Sequence, residues 1–209
     1  MHFEILVEGQ CELTVLSTLM PKFVGVYNSP HTWRIHKHRG IGAIPSNPDK
    51  PPKINDTSLL GQLPAKLRAY SKNPNPNRKV IILMDLDDKD RTIFTAQLNA
   101  LLVHCDAEFT ASFSFAEEEL EAWYLGDRNA LLVYNPKIAT QKLDAYVQDS
   151  ICNTWKLLLD ADDPSLSKIN KRDRKILEKK VLWAKKISPH MNTTGNLSPS
   201  FNDFKLNFN

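Results

Sequence analysis

The sequence predicts an α/β protein: a layered fold built on a mostly parallel central sheet, followed by an α-helical C-terminal part. Three observations lead there. Strand-like apolar runs alternate with helix-like periods through about residue 127. The run VIILM (80–84) is apolar at consecutive positions, the pattern of a strand covered on both faces. Beyond residue 128 strand signals disappear and helical periodicity remains. The chain therefore divides into an α/β domain over 1–127 and an α-helical appendage over 128–209, packed on it and ending in a tail.

Phe3, Ile5, Leu6 and Val7 make a first strand that delivers Glu8 to its C-terminal end, and Gly9 permits a tight turn. Leu13, Val15, Leu16, Leu19 and Met20 then follow helical spacing over 11–22, which Pro21 is expected to end. TWRIHK (32–37) is aromatic and β-branched enough for a strand. Residues 40–56 hold Gly, Pro, Ser and Asn in a long loop, a length that compact domains keep for functional or mobile segments. Asp56 or Thr57 is placed to cap a helix over 58–71, whose apolar face is Leu59, Leu60, Leu63, Leu67 and Tyr70. The strand VIILM ends in Asp85-Leu86-Asp87, a helix is expected over about 91–104, FTASFSF (109–115) reads as a strand, and AEEELEAWYLGD (116–127) reads as a helix. Two further helices are expected, over 138–159 and within KKVLWAKKI (179–187).

Composition narrows the function classes. At 42% hydrophobic and 24% charged the chain has the make-up of an ordinary soluble domain, and a net charge of +3 does not by itself mark a nucleic-acid binder. Cys11, Cys105 and Cys152 are far apart and lack zinc-site spacing, so they read as reduced packing cysteines. No apolar run approaches the ~18 residues of a membrane span and no signal-peptide pattern follows Met1, so a cytoplasmic protein with no membrane partner is expected.

Chemistry concentrates where ligands of open α/β sheets bind, beyond the C-terminal strand ends. Glu8 ends the first strand; Asp85 and Asp87 end the VIILM strand, on one side for as long as extended structure persists. Carboxylates gathered in a water-poor site raise one another's pKa, and Mg²⁺ relieves that repulsion. A strand ending in Glu-Gly followed by a later apolar strand ending in Asp-x-Asp resembles the TOPRIM superfamily, found in topoisomerases, DnaG-type primases and nucleases of the overcoming-lysogenization-defect type. Glu12 adds the Glu-x-x-x-Glu variant of the nuclease branch. LVEGQCE, KHRGIG, VIILMDLDD, ELEAW and NLSPSF, taken in order, resemble a bacterial TOPRIM-like family often encoded beside AAA-type ATPases and linked to phage defence.

That resemblance implies a Mg²⁺- or Mn²⁺-dependent phosphodiesterase acting on nucleic acid, DNA before RNA. Glu8, Asp85 and Asp87 would be catalytic, with Glu12, Glu118 and Glu121 completing the metal shells. A separate ATPase is the implied partner, and a homodimer is compatible with it. The nuclease branch often uses a lysine as well; Lys89 lies near the DxD but does not match by position. The competing reading of Glu117–Glu121 is a solvated helix face. A haloacid-dehalogenase-type phosphatase also uses DxD, with Asp85 as nucleophile, but its DxD strand usually comes first in the fold. A topoisomerase lacks room for its tyrosine-bearing domain, and a primase lacks its zinc-binding region. A TOPRIM fold without catalysis, or one activated by its ATPase, is the non-enzyme alternative.

Two basic stretches suit phosphate contacts. HTWRIHKHRG offers Arg34, Lys37, His38 and Arg39 before the Gly40 turn; its three histidines, His31, His36 and His38, need not converge on zinc. SKINKRDRKILEKK offers Lys171, Arg172, Arg174 and Lys175, against the bland reading of a solvated helix. Phe201, Phe204 and Phe208 fall on one face of the tail, suited to packing on the main domain.

Overall fold

The computed structural model describes residues 1–107, 109–150 and 153–209; Cys152 therefore lies outside the described residues. Four strands form one parallel sheet: β1 (His2–Val7), β2 (Thr32–Lys37), β3 (Arg78–Asp85) and β4 (Ala111–Ala116), in the order β2-β1-β3-β4. In register, Ile5 lies between Ile35 and Ile81, and Asp85 pairs with Ala116. The order reverses direction between β1 and β3, so the crevice at a topological switch point opens above those two strands. Glu8 and Asp85 stand there.

Alternation along the strands builds two cores. Phe3, Ile5, Val7, Ile81 and Leu83 face α1 (Gln10–Val24) and the C-terminal helices. Leu6, Val80, Ile82 and Met84 face α2 (Leu59–Lys72) and α3 (Arg91–His104). Because both faces are covered, β3 must be apolar at every position from Val80 to Met84, as its sequence shows.

Local chemistry moves several boundaries. Pro21 does not end α1: its carbonyl accepts the N–H of Gly25, which closes the helix in a left-handed conformation (φ +84°). Neither Asp56 nor Thr57 caps α2. Ser58 does, accepting from the Gly61 N–H, while Asp56 braces the cap by accepting from the Ser58 hydroxyl at 2.6 Å. The helix expected over 116–127 shrinks to α4 (Glu121–Leu125), because Glu118 adopts φ +66° and breaks the helical path. The stretch 138–159 is likewise broken, into a 3₁₀ turn at Thr140–Leu143 and α6 (Thr154–Asp162), and α5 (Arg128–Tyr134) precedes it.

The C-terminal helices do not build a core of their own among the described residues. Trp183 and Ile187 of α7 (Arg174–Ile187) and Phe201 and Phe204 of α8 (Pro199–Lys205) belong to the same apolar cluster as Leu16 and Leu19 of α1. Fully buried Trp123 lies 5.4 Å from Phe201 and 5.2 Å from Phe204, and its indole N–H donates to the Ser200 hydroxyl at 3.1 Å. The aromatic tail is thus a structural seal against α1 and α4. Among the described residues no helix is long and apolar enough to cross a membrane.

Candidate functional site

The strand ends hold the carboxylates with backbone hydrogen bonds. The Asp85 N–H donates to Glu8 Oε1 at 2.8 Å, and the Leu120 N–H donates to Asp85 Oδ1 at 3.1 Å. These two bonds tie the ends of β1 and β3 to the turn after β4, so the positions of Glu8 and Asp85 are fixed by the sheet itself. Glu12, in the first turn of α1, and Glu121, in the first turn of α4, close the same small cavity of about 210 Å³. Four of the six carboxylates expected as metal ligands therefore meet.

Asp87 and Glu118 do not join them. β3 ends at Asp85, and Asp87 turns left-handed (φ +49°), so the i, i+2 geometry expected of the DxD fails after one residue. Asp87 lines a neighbouring acidic cavity of about 300 Å³ with Asp88, Glu118, Glu119, Asn153 and Lys171. The two left-handed residues are laced together, the Asp87 N–H donating to the Glu118 carbonyl at 2.8 Å.

The solvated-face reading of Glu117–Glu121 is overturned. Glu118, Glu119 and Glu121 are 6%, 2% and 2% exposed. Buried carboxylates need partners, and two of the three have them. Lys180 of α7 reaches Glu121 at 3.1 Å and Glu119 at 3.7 Å, while Lys171 contacts Glu119 and lies 3.7 Å from Asp87. Glu118 Oε2 is buried without a hydrogen-bond partner among the described residues.

Proton affinities follow from this crowding. Burial pushes Glu8 up to about 8, with the charges of Glu12 and Asp87 adding to it and the Asp85 N–H opposing. Asp85 is raised by burial and then by Glu8, Glu12 and Glu121; Glu12 and Glu121 are raised mainly by burial. Glu118 goes up to about 7, through burial and then the charge of Glu119. Lys180 is raised as well: its own burial pulls it down, but the charges of Glu121 and Glu119 outweigh that and hold it charged. Burial is the largest cause of every carboxyl shift, and the charges of neighbouring carboxylates add to it.

A divalent cation fits that donor set, which is carboxylate oxygen throughout, the kind Mg²⁺ and Mn²⁺ take. The orphaned Glu118 oxygen and the raised carboxyls are what such a site looks like before a cation adds its charge. Among the described residues no group of three His, Cys, Asp or Glu forms a preformed cage. Lys180 explains this in part, since its ammonium is already paired with Glu121.

The basic residues separate as well. The Gly40 N–H donates to the Glu8 carbonyl at 3.0 Å and Gly40 lines the Glu8 cavity, so Lys37, His38 and Arg39 run along its rim. His38 is anchored by Nδ1 to the Val7 carbonyl at 2.8 Å, Lys37 reaches Gln10 Oε1 at 2.6 Å, and Arg39 is exposed. Arg34 sits lower, beside Glu4 in mid-strand. His36 is bonded to Glu4 and His38 to Val7, so the histidines do not converge. Arg172 and Lys175 are exposed and Arg174 pairs with Glu178 at 2.8 Å, whereas Lys171 lines the acidic cavity.

Lys180 and Glu119 are the site residues that sequence reasoning missed, and Lys171, expected to meet phosphate, instead contacts Glu119. For Lys180 a signal existed: Ile176, Lys180, Trp183 and Ile187 follow i, i+4, i+7, i+11 spacing, which puts the lysine on the buried face of α7. No protein-family model, curated protein or solved structure matches this chain with significance.

Proposed function

We propose that this chain is a TOPRIM-type, divalent-metal-dependent phosphodiesterase acting on nucleic acid. The observation that carries the reading is the convergence of Glu8, Glu12, Asp85 and Glu121, with Lys180, on one cavity at the switch point of a parallel sheet. When bound, Mg²⁺ or Mn²⁺ would stabilise charge developing on a phosphate and acidify a coordinated water. Glu8, Glu12, Asp85 and Glu121 would hold that ion, and Asp87 and Glu118 line the adjoining cavity where a second would fit. Glu8 has a proton affinity near 8, which suits a group that takes and returns a proton near neutral pH. Lys180 supplies a fixed cation beside the carboxylates, in the role for which the sequence offered only Lys89. Lys37, His38 and Arg39 on one rim and the basic start of α7 on the other would hold the strand by its phosphates.

The phosphatase reading is less well supported, because Asp85 and Asp87 line different cavities rather than one. A cytoplasmic setting suits the free thiols Cys11 and Cys105. The ATPase partner and a role in phage defence rest on the family resemblance.

The test is cleavage of plasmid and single-stranded nucleic acid in Mg²⁺, Mn²⁺ or EDTA, beside Asp85→Asn and Lys180→Gln. Metal-dependent cutting that both variants lose supports the reading. Absence of cutting in every metal rejects a self-sufficient nuclease and favours a subunit activated by an ATPase.

A further inference from the structure

A second kind of cavity lies away from the carboxylates. It is an open groove of about 660 Å³ between α3 and the long loop after β2, with Gly42, Ala43 and Pro48 on the loop side. Phe94, Gln97, Ala100 and His104 form the α3 side, and Leu60 the floor. The loop is strapped in place: the Ile41 carbonyl accepts the Leu60 N–H at 2.8 Å, and Arg68 donates to the Pro48 carbonyl at 2.6 Å. His104 bonds Asp49 at 2.9 Å. Two ties fix the loop to α2 and one to α3, and the volume lies in the ~300–1,000 Å³ range of small-ligand sites.

Three features define what fits. The walls are mostly apolar, with an aromatic ring. The polar groups are an amide (Gln97) and an imidazole (His104), able to donate and accept along the edge of a heteroaromatic ring. No carboxylate lines this cavity, whereas carboxylates line both cavities at the strand ends. Its one charged residue is Lys89, whose ammonium lies 3.5 Å from Asp87 Oδ2 and 5.6 Å from the centre of the Phe94 ring. Lys89 thus joins the cavity mouth to the DxD turn: a cation at the entrance, an apolar slot behind it, the acidic site alongside.

From this we infer that the cavity receives an unpaired nucleobase of the strand whose phosphate is handled at the carboxylates, so that the substrate is single-stranded or locally opened nucleic acid. The inference rests on the nucleic-acid reading above and deepens it. A base still stacked and paired in a duplex presents neither its faces nor its pairing edge to a groove between a loop and a helix. An unpaired one exposes both its apolar faces and its hydrogen-bonding edge to such walls, while Lys89 meets its phosphate.

The experiment uses single-stranded oligonucleotides carrying 2-aminopurine, with the full chain in EDTA, so that binding is read without cleavage. Entry of the base into the slot unstacks it and raises its fluorescence several-fold. The single strand should bind at least about tenfold tighter than the matching duplex, the scale of one stacked base. Ala100→Trp fills the slot and should remove both effects. Gln97→Leu, at an exposed position, should weaken them with an unchanged melting temperature, which guards against a misfolded first variant. Equal affinity for the two forms with no fluorescence change overturns the inference while leaving a nuclease reading intact. Binding of neither form overturns both. Retention of all effects in Ala100→Trp also overturns it, and leaves the slot to an apolar side chain of a protein partner.

Discussion

Replacing Lys180 by Met keeps the length and apolar stem of the side chain and removes its charge. In the native fold that charge lies 3.1 Å from Glu121 Oε2, with the lysine side chain 13% and the glutamate 3% exposed. Coulomb's law at an effective dielectric of about 20 gives ~5 kcal/mol for this separation, partly offset by the cost of burying both groups. Deleting one partner strands the other, and losses of about 3–5 kcal/mol are usual for that change. For a domain of this size each kcal/mol moves Tm by about 2–4 °C, so Lys180→Met should melt roughly 10 °C lower at pH 8 without added metal. The loss should shrink to a few degrees at pH 5. Burial already raises the proton affinity of Glu121, and without Lys180 it rises further, so Glu121 becomes neutral there and needs no partner. Scanning calorimetry at the two pH values measures this directly. An equal drop at both would show that Lys180 contributes packing rather than charge, and no drop would refute the buried pair.

Four further outcomes are expected. The metal-free protein should lose stability as pH rises through 7 and 8: Glu118 and Glu8 bind protons more tightly folded, at about 7 and about 8, than unfolded near ~4.3, so their contribution is complete at low pH and lost above those values. Saturating Mg²⁺ should flatten that decline, and thermal melts from pH 5 to 9 that rise with pH would contradict it. Glu118→Gln removes the buried carboxylate with the orphaned oxygen and should stabilise the metal-free protein by roughly 1–3 kcal/mol at pH 8.5 but not at pH 5, read by urea titration. Glu8→Gln and Asp85→Asn should each cut metal-dependent cleavage on the order of 10²-fold or more, and calorimetric titration should show weaker Mn²⁺ binding in step. Phe204→Ala, at a fully buried position, should cost about 3–5 kcal/mol in urea unfolding; a loss below ~1 kcal/mol would mean that the tail does not share the main core.

The sheet was legible because its signal is local. VIILM cannot be covered on one face only, TWRIHK is β2 residue for residue, and α3 spans Arg91–His104, the range expected for it. Glu8 and Asp85 were legible for the same reason: each ends an unmistakable strand. The turn 117–120 was not, because helical propensity favours a glutamate run and only tertiary packing explains why Glu118 goes left-handed. Once that turn forms, the spacing that made Glu117 and Glu118 helical neighbours of Glu121 has no meaning, and the charges turn inward. The DxD misled in a similar way, since i, i+2 geometry needs a strand that here stops at Asp85.

The boundary at residue 127 has the deeper consequence. Drawn where strand signals end, it assigns every expected metal ligand to one domain and the basic run around Lys171 to the other. In the fold, α7 packs on α1 through a shared core, and that contact carries Lys180 to Glu121 while the segment before it carries Lys171 to Glu119 and Asp87. The acidic site therefore exists as a buried structure only because the C-terminal helices complete it. Burial of Glu119 and Glu121 without those lysines would cost several kcal/mol, so a chain cut near residue 127 should not keep these side chains buried at neutral pH. The same lysines set the local charge balance: Lys180 pairs with Glu121 and Glu119, and Lys171 with Glu119 and Asp87. The helices that look like an appendage in sequence are thus the half of the site that sets its charge.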